Sequence, residues 1–159
     1  MPIIVDGHNL IPKIPGLSLT DIDDESQLIH MLQEYCRLRR VEIECYFDKA
    51  PQGHPRIQRH GLVVARFARP GKTADDEIKE HLRRLERRGR EFTVVSSDNS
   101  IQVAARAARA RAISSDEFSR DLQAVLRQQP EKDRASEETI ASEELEMWLK
   151  AFGADPNEK

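Results

Sequence analysis

Short apolar runs that alternate with stretches of helical period constrain this chain more than any other feature. Ile3-Ile4-Val5, Val41–Phe47, Leu62–Phe67 and Phe92–Ser97 each read as a strand, and Ala112-Ile113 as a short fifth. Three helical patterns lie between them and a fourth follows the last. The first starts at Asp23 or Asp24 and runs to about Arg39, with Leu28, Ile29, Leu32, Tyr35, Cys36 and Leu38 on its apolar side. The second is capped by Thr73, carries Asp75, Asp76 and Glu77 in its first turn and is stopped by Gly89. An alanine-rich helix covers about Ser100 to Ala110, and Ser115 caps another to about Gln128. Strands alternating with helices predict an α/β fold whose central, mostly parallel sheet is flanked by helices on both faces. The stretch after Asp6, with Pro12, Pro15 and Gly16, reads as a polar loop, and Lys49–Arg59 as another.

The 159 residues suit one compact domain, residues 1–129, followed by an acidic linker and a C-terminal helix in residues 130–159. That last helix would carry Leu145, Trp148, Leu149 and Phe152 on one side. It would pack on the domain or pair with a second chain or partner, so a monomer or a weak homodimer is expected. No apolar run is long enough to cross a membrane, and Pro2-Ile3-Ile4-Val5 follows Met1 without a basic, then apolar, leader. Cys36 and Cys45 are spaced for neither zinc nor a disulfide framework and read as buried free thiols in a reducing cytosol. The expected location is therefore cytoplasmic.

Net charge is −3, but its distribution is uneven. Residues 130–159 hold nine acids against four bases, which leaves the preceding part net positive. Arg83, Arg84, Arg87, Arg88 and Arg90 form its most basic stretch, read either as a solvated helix face or as an RNA footprint.

Three strands end in aspartate: Asp6, Asp48 and Asp98. In an open parallel sheet such ends converge on one edge, where ligands bind. Asp75 and Asp76 join them from a helix N-terminus. Each acid has a plain structural reading as well: Asp98 as a helix cap, Asp75 and Asp76 as partners of a helix dipole, Asp48 as a solvated loop residue. Together, four or five carboxylates repel one another and need protons or cations to neutralise them. Mg²⁺ or Mn²⁺ suits oxygen donors of this kind, as one ion or two, and would activate a phosphodiester toward hydrolysis. His8, Asn9, Lys72, Ser97 and Asn99 are candidate substrate contacts beside them. His8 could also transfer protons; the other histidines lack the pairing of a zinc helix motif. There is no P-loop, dinucleotide fingerprint or serine-hydrolase elbow.

The segment Ile4-Val5-Asp6-Gly7-His8-Asn9-Leu10-Ile11 resembles the opening motif of NYN domains, PIN-like nucleases, in their YacP-like bacterial branch. Thr73-Ala74-Asp75-Asp76-Glu77-Ile78, Val95-Ser96-Ser97-Asp98 with Gln102, and Ala112–Phe118 resemble that branch's later motifs in order. The resemblance covers about residues 1–128, with His8 where the family has Tyr, a divergent linker after Asp48, and the tail with Trp148 outside the match. It implies a PIN-like three-layer fold and divalent-metal-dependent cleavage of RNA, with Asp6, Asp75 and Asp98 as the catalytic acids and Asp48 and Asp76 as further metal-binding acids. The branch includes a ribosome-associated endoribonuclease acting on translated messenger RNA. An RNA partner (mRNA, rRNA or tRNA) and a ribosomal connection are therefore expectations. A non-catalytic RNA- or ribosome-binding module on the same fold is the alternative.

Overall fold

The computed structural model describes residues 2–18, 23–50 and 53–128. The expected boundary after Gln129 and the expected Trp148 helix lie outside them. Six strands form one sheet in the order β3-β4-β2-β1-β5-β6. They are β1 (Ile3–Asp6), β2 (Ile43–Phe47), β3 (Ile57–His60), β4 (Val63–Phe67), β5 (Thr93–Val95) and β6 (Arg111–Ile113). All neighbours are parallel except β3, which runs antiparallel to β4.

β1 is central and buried along its whole length. Its residues alternate between faces, so Ile3 and Val5 join one core cluster and Ile4 the other. On the first face lie α1 (Gly7–Leu10), α2 (Asp23–Arg39) and α5 (Ser115–Arg127), through Leu10, Leu28, Leu32, Phe118 and Leu122. On the second lie α3 (Ala74–Leu85) and α4 (Asn99–Ala107), through Ile78, Leu82, Ile101 and Ala105. The three-layer α/β architecture expected from the sequence is the observed one. The chain builds outward from β1 through β2 to β4, then returns to β5 on the other side, so the order switches at β1. Crevices at such switch points, at the carboxyl ends of the strands, are where open α/β sheets bind ligands.

Two expected loops contain structure. Asp6 leads straight into α1 and a 3-10 turn, Ile11–Lys13, because Leu10, Ile11 and Ile14 are buried against the sheet. The second loop ends in β3, whose sequence Ile-Gln-Arg-His lacks apolar alternation because Ile57 is 54% exposed. Its turn into β4 uses Gly61 at φ +63°. The second helix also ends earlier than Gly89 predicts. α3 stops at Leu85 and a 3-10 turn, Glu86–Glu91, follows. Gly89 serves packing instead: a Cβ there would stand 1.8 Å from the Ala108 carbonyl oxygen. Both cysteines are buried and free, and among the described residues no helix is long and apolar enough to cross a membrane.

Candidate active site

Asp6 closes β1 at the switch point and is only 9% exposed. Gly7 follows because α1 crosses directly over β2: a Cβ at Gly7 would lie 2.4 Å from the Phe47 ring. Burial pushes the Asp6 carboxyl up to about 6. The Ser96 hydroxyl, which donates to Asp6 Oδ2 at 3.3 Å, and the Asn9 amide pull against this, and the charges of Asp48 and Asp75 add to it. Asp6, Asp48 and Asp75 thus share one electrostatic neighbourhood.

Asp48 follows β2 and ties that strand end to two elements. Its Oδ1 accepts the Ala74 amide of α3 at 2.9 Å, and its Oδ2 lies 3.0 Å from His8 Nδ1. Burial would raise its pKa, but these two partners outweigh burial and hold it below the usual carboxylate value. His8 Nε2 lies 3.0 Å from Glu25 Oε1 in the first turn of α2. An imidazole whose two nitrogens both face carboxylates donates from both only when protonated. The Glu25 hydrogen bond, against the opposing effect of burial and with help from Asp48, raises the His8 pKa. His8 therefore takes up a proton more readily than a free imidazole does.

Asp75 Oδ2 pairs with Lys79 Nζ at 2.8 Å, one helical turn on. Its Oδ1 is buried and accepts no hydrogen bond from the described residues. Lys79 also lies within reach of the charges of Asp98 and Asp76. Asp98 caps α4: its Oδ1 accepts the Ile101 amide at 3.1 Å and the Ser100 hydroxyl, and these bonds lower its pKa. Asp76 is exposed and closes a capping box with Thr73, whose backbone and side chain lower its pKa. The structural roles weighed from the sequence for Asp98 and Asp76 are thus present, without consuming every carboxylate oxygen.

The candidate substrate contacts divide. Asn9 and Ser97 are tied into the scaffold: Asn9 Oδ1 accepts the Ser97 amide at 2.8 Å and the Ser115 hydroxyl, and Ser97 Oγ accepts the Ser115 amide at 3.0 Å. These bonds join the ends of β1, β5 and α5. Asn99 is exposed at the start of α4. Lys72 lines a cleft with Asp48, Lys49, Arg56 and Arg69, its Nζ 3.6 Å from Glu80. Glu25 and Lys79 are site residues that sequence reasoning missed. Lys79 was visible as the i+4 partner of Asp75, whereas nothing local marks Glu25.

Oxygen donors, an orphaned buried Asp75 Oδ1 and a buried Asp6 with two acidic neighbours fit a hard divalent cation. Among the described residues no three His, Cys, Asp or Glu side chains form a ready cage. Mg²⁺ does not require one, since it is commonly held by one or two carboxylates, with waters and substrate phosphates completing its shell.

A profile described as "YacP-like NYN domain" matches residues 3–152. The match therefore runs through Trp148, in the tail that the motifs alone left outside. The fold is similar to a crystal structure titled Rae1 (YacP) from Bacillus subtilis, at 25% identity and a TM-score of 0.74, covering 96% of this chain and 92% of that one. A tryptophan-to-leucine mutant of the same protein matches at 26% identity and a TM-score of 0.70, over 90% and 88% of the two chains. No curated protein sequence matches the chain.

Proposed function

The chain belongs to the YacP-like NYN domain family, a branch of the PIN-like nucleases, and from that membership we propose that it is a divalent-metal-dependent ribonuclease that cuts RNA internally. One observation carries the reading. Asp6 is buried at the switch point of the sheet and carries a carboxyl raised to about 6, with Asp48 and Asp75 adding to the repulsion. A fold keeps such a costly arrangement where charge is put to use.

Asp6 and Asp75 would hold Mg²⁺ or Mn²⁺, with Asp98 at the open edge and Asp48 and Asp76 as outlying acids. When bound, the ion supplies positive charge to the scissile phosphate as its negative charge builds. The chain's own groups do the rest. Ser96 fixes the orientation of Asp6 through its hydroxyl. Asn9 and Ser115 lock the strand ends that carry the acids. The Lys79 ammonium, joined by His8 when it is protonated, keeps the site from repelling a phosphodiester. RNA is the proposed substrate and partner, and the ribosome a further partner on the family resemblance alone.

The test uses a circular RNA, which offers no end to an exonuclease. Wild-type protein is expected to linearise it in Mg²⁺ or Mn²⁺ and to leave it intact in EDTA. Asp6→Asn and Asp98→Asn are expected to abolish cleavage while still binding the RNA. Asn is itself a good N-cap, so the second variant removes charge and keeps α4 capped. Metal-supplemented wild type that cuts neither circular nor linear RNA would sink the proposal and leave the non-catalytic binding module.

A further inference from the structure

The basic stretch of the sequence splits in three dimensions. Arg84 turns toward Glu44, Tyr46, Arg66 and His81 beside the β2–β4 side of the sheet, and Arg88 pairs with Glu91. Arg83, Arg87 and Arg90 turn the other way, into a groove between α3 and α4. The groove consists of two adjoining cavities of about 330 and 470 Å³ that share Glu86, Ala107 and Ala108. Lys79 lines its end nearest the acids and Arg109 its far end. Five cations thus face one carboxylate, Glu86. Arg83, Arg87, Arg90 and Arg109 are exposed and have no ion-pair partner among the described residues.

Three features hold these cations in place. Lys79 and Arg83 are one turn apart on α3, about 6 Å along its axis. The 3-10 turn carrying Arg87 and Arg90 lies so close to α4 that only glycine fits at position 89. Glu86 and Arg109, on opposite walls, both adopt positive φ, 50° and 64°. Arg109 is the left-handed residue that ends α4, where the Ala110 amide donates to the Ala105 carbonyl oxygen. The floor is Ala104, Ala107 and Ala108, small enough for a backbone to lie against.

We propose that this groove is the docking track for a single-stranded RNA backbone, leading past Lys79 to the acidic edge at Asp75 and Asp98. The inference rests on the ribonuclease reading for its substrate. Charge decides the occupant: a row of unpaired guanidinium groups suits phosphates, and the mouth of the groove opens where the carboxylates stand. Among the described residues no aromatic side chain lines it, so bases have nothing there to stack on and the track reads the sugar-phosphate backbone rather than sequence.

The experiment measures binding of fluorescein-labelled oligouridylate in EDTA, between about 50 and 200 mM salt, for wild type and three double variants. The Arg83→Glu/Arg87→Glu pair is expected to lose about tenfold or more in affinity at the low-salt end. It should also flatten the log–log salt slope by about 1.4, two phosphate contacts at about 0.7 each. The Arg59→Glu/Arg120→Glu pair makes the same change in net charge on β3 and α5 and is expected to keep the wild-type slope. Arg83→Gln/Arg87→Gln repeats the test without added repulsion, should the glutamates unfold the chain. Equal losses in the groove and control pairs, or none in either groove pair, overturn the track. So does a groove pair that keeps RNA but loses polyglutamate, which would assign the groove to an acidic protein. If wild type cleaves RNA in Mg²⁺ and the groove pairs bind and cleave as it does, the track fails and the ribonuclease reading stands. If wild type neither binds nor cleaves, both fail.

Discussion

Burying Asp6 costs stability in a defined pH window. In the unfolded chain this carboxyl ionises near 3.8, and in the folded protein only near 6. Below both values it is protonated in either state and neutral to stability. As pH rises from about 4 to 6 the unfolded state gives up its proton first, so folding becomes less favourable, and the cost is complete above 6. Two units correspond to about 2–3 kcal/mol. Asp6→Asn keeps an oxygen for the Ser96 hydroxyl and removes the charge. It is expected to stabilise the fold by up to about that amount at pH 7.5 and by nothing below pH 4, read from denaturant midpoints at the two pH values. The same substitution is expected to silence cleavage. A gain in stability with a loss of activity at one atom is what a functional, rather than structural, carboxylate should give.

At the scale of elements, the groove and the core meet at Gly89. The 3-10 turn after α3 rests on the end of α4 with no room for a methyl group, since the Ala108 carbonyl oxygen would be 1.8 Å away. Gly89→Ala must push the turn off α4. The expected cost is about 1–3 kcal/mol, seen as a lower unfolding midpoint. Arg87 and Arg90 ride on this turn, so RNA affinity should fall with stability even though Gly89 carries no charge. The sequence marks Gly89 as a helix stop, a role glycine fills often. Its actual role depends on a neighbour nineteen residues away, which no local rule can see. β3 was illegible for a similar reason: none of its residues is buried, and its one apolar residue, Ile57, lies on the exposed side. α1 was hidden because a single turn is too short to show a period, and what holds it is the burial of Leu10, Ile11 and Ile14.

For the whole molecule, metal binding and folding should be linked. An ion bound by Asp6 and Asp75 has no preformed site in the unfolded chain, so it stabilises the native state. At ten times its dissociation constant the gain is about 1.4 kcal/mol, or a rise of about 3–6 °C in melting temperature for a domain of this size. The rise is expected for Mg²⁺ and Mn²⁺ with wild type and is expected to vanish in Asp75→Asn, with monovalent salt at matched ionic strength as the control. An equal rise in that variant would place the ion elsewhere. What the sequence determined by itself was the layered α/β fold and a set of candidate acids, because strand and helix periods and strand-ending aspartates are local patterns. It also carried the YacP-like NYN motifs, and that family match now spans residues 3–152. Only the tertiary structure decided which acids are free. It gave Asp76 and Asp98 to helix caps, set His8 between Asp48 and Glu25, placed Lys79 on Asp75, and sorted one run of arginines onto two faces. Those outcomes depend on burial and on distances between residues far apart in the chain, and such distances are fixed only when the crossovers bring Asp6 to the centre of the sheet.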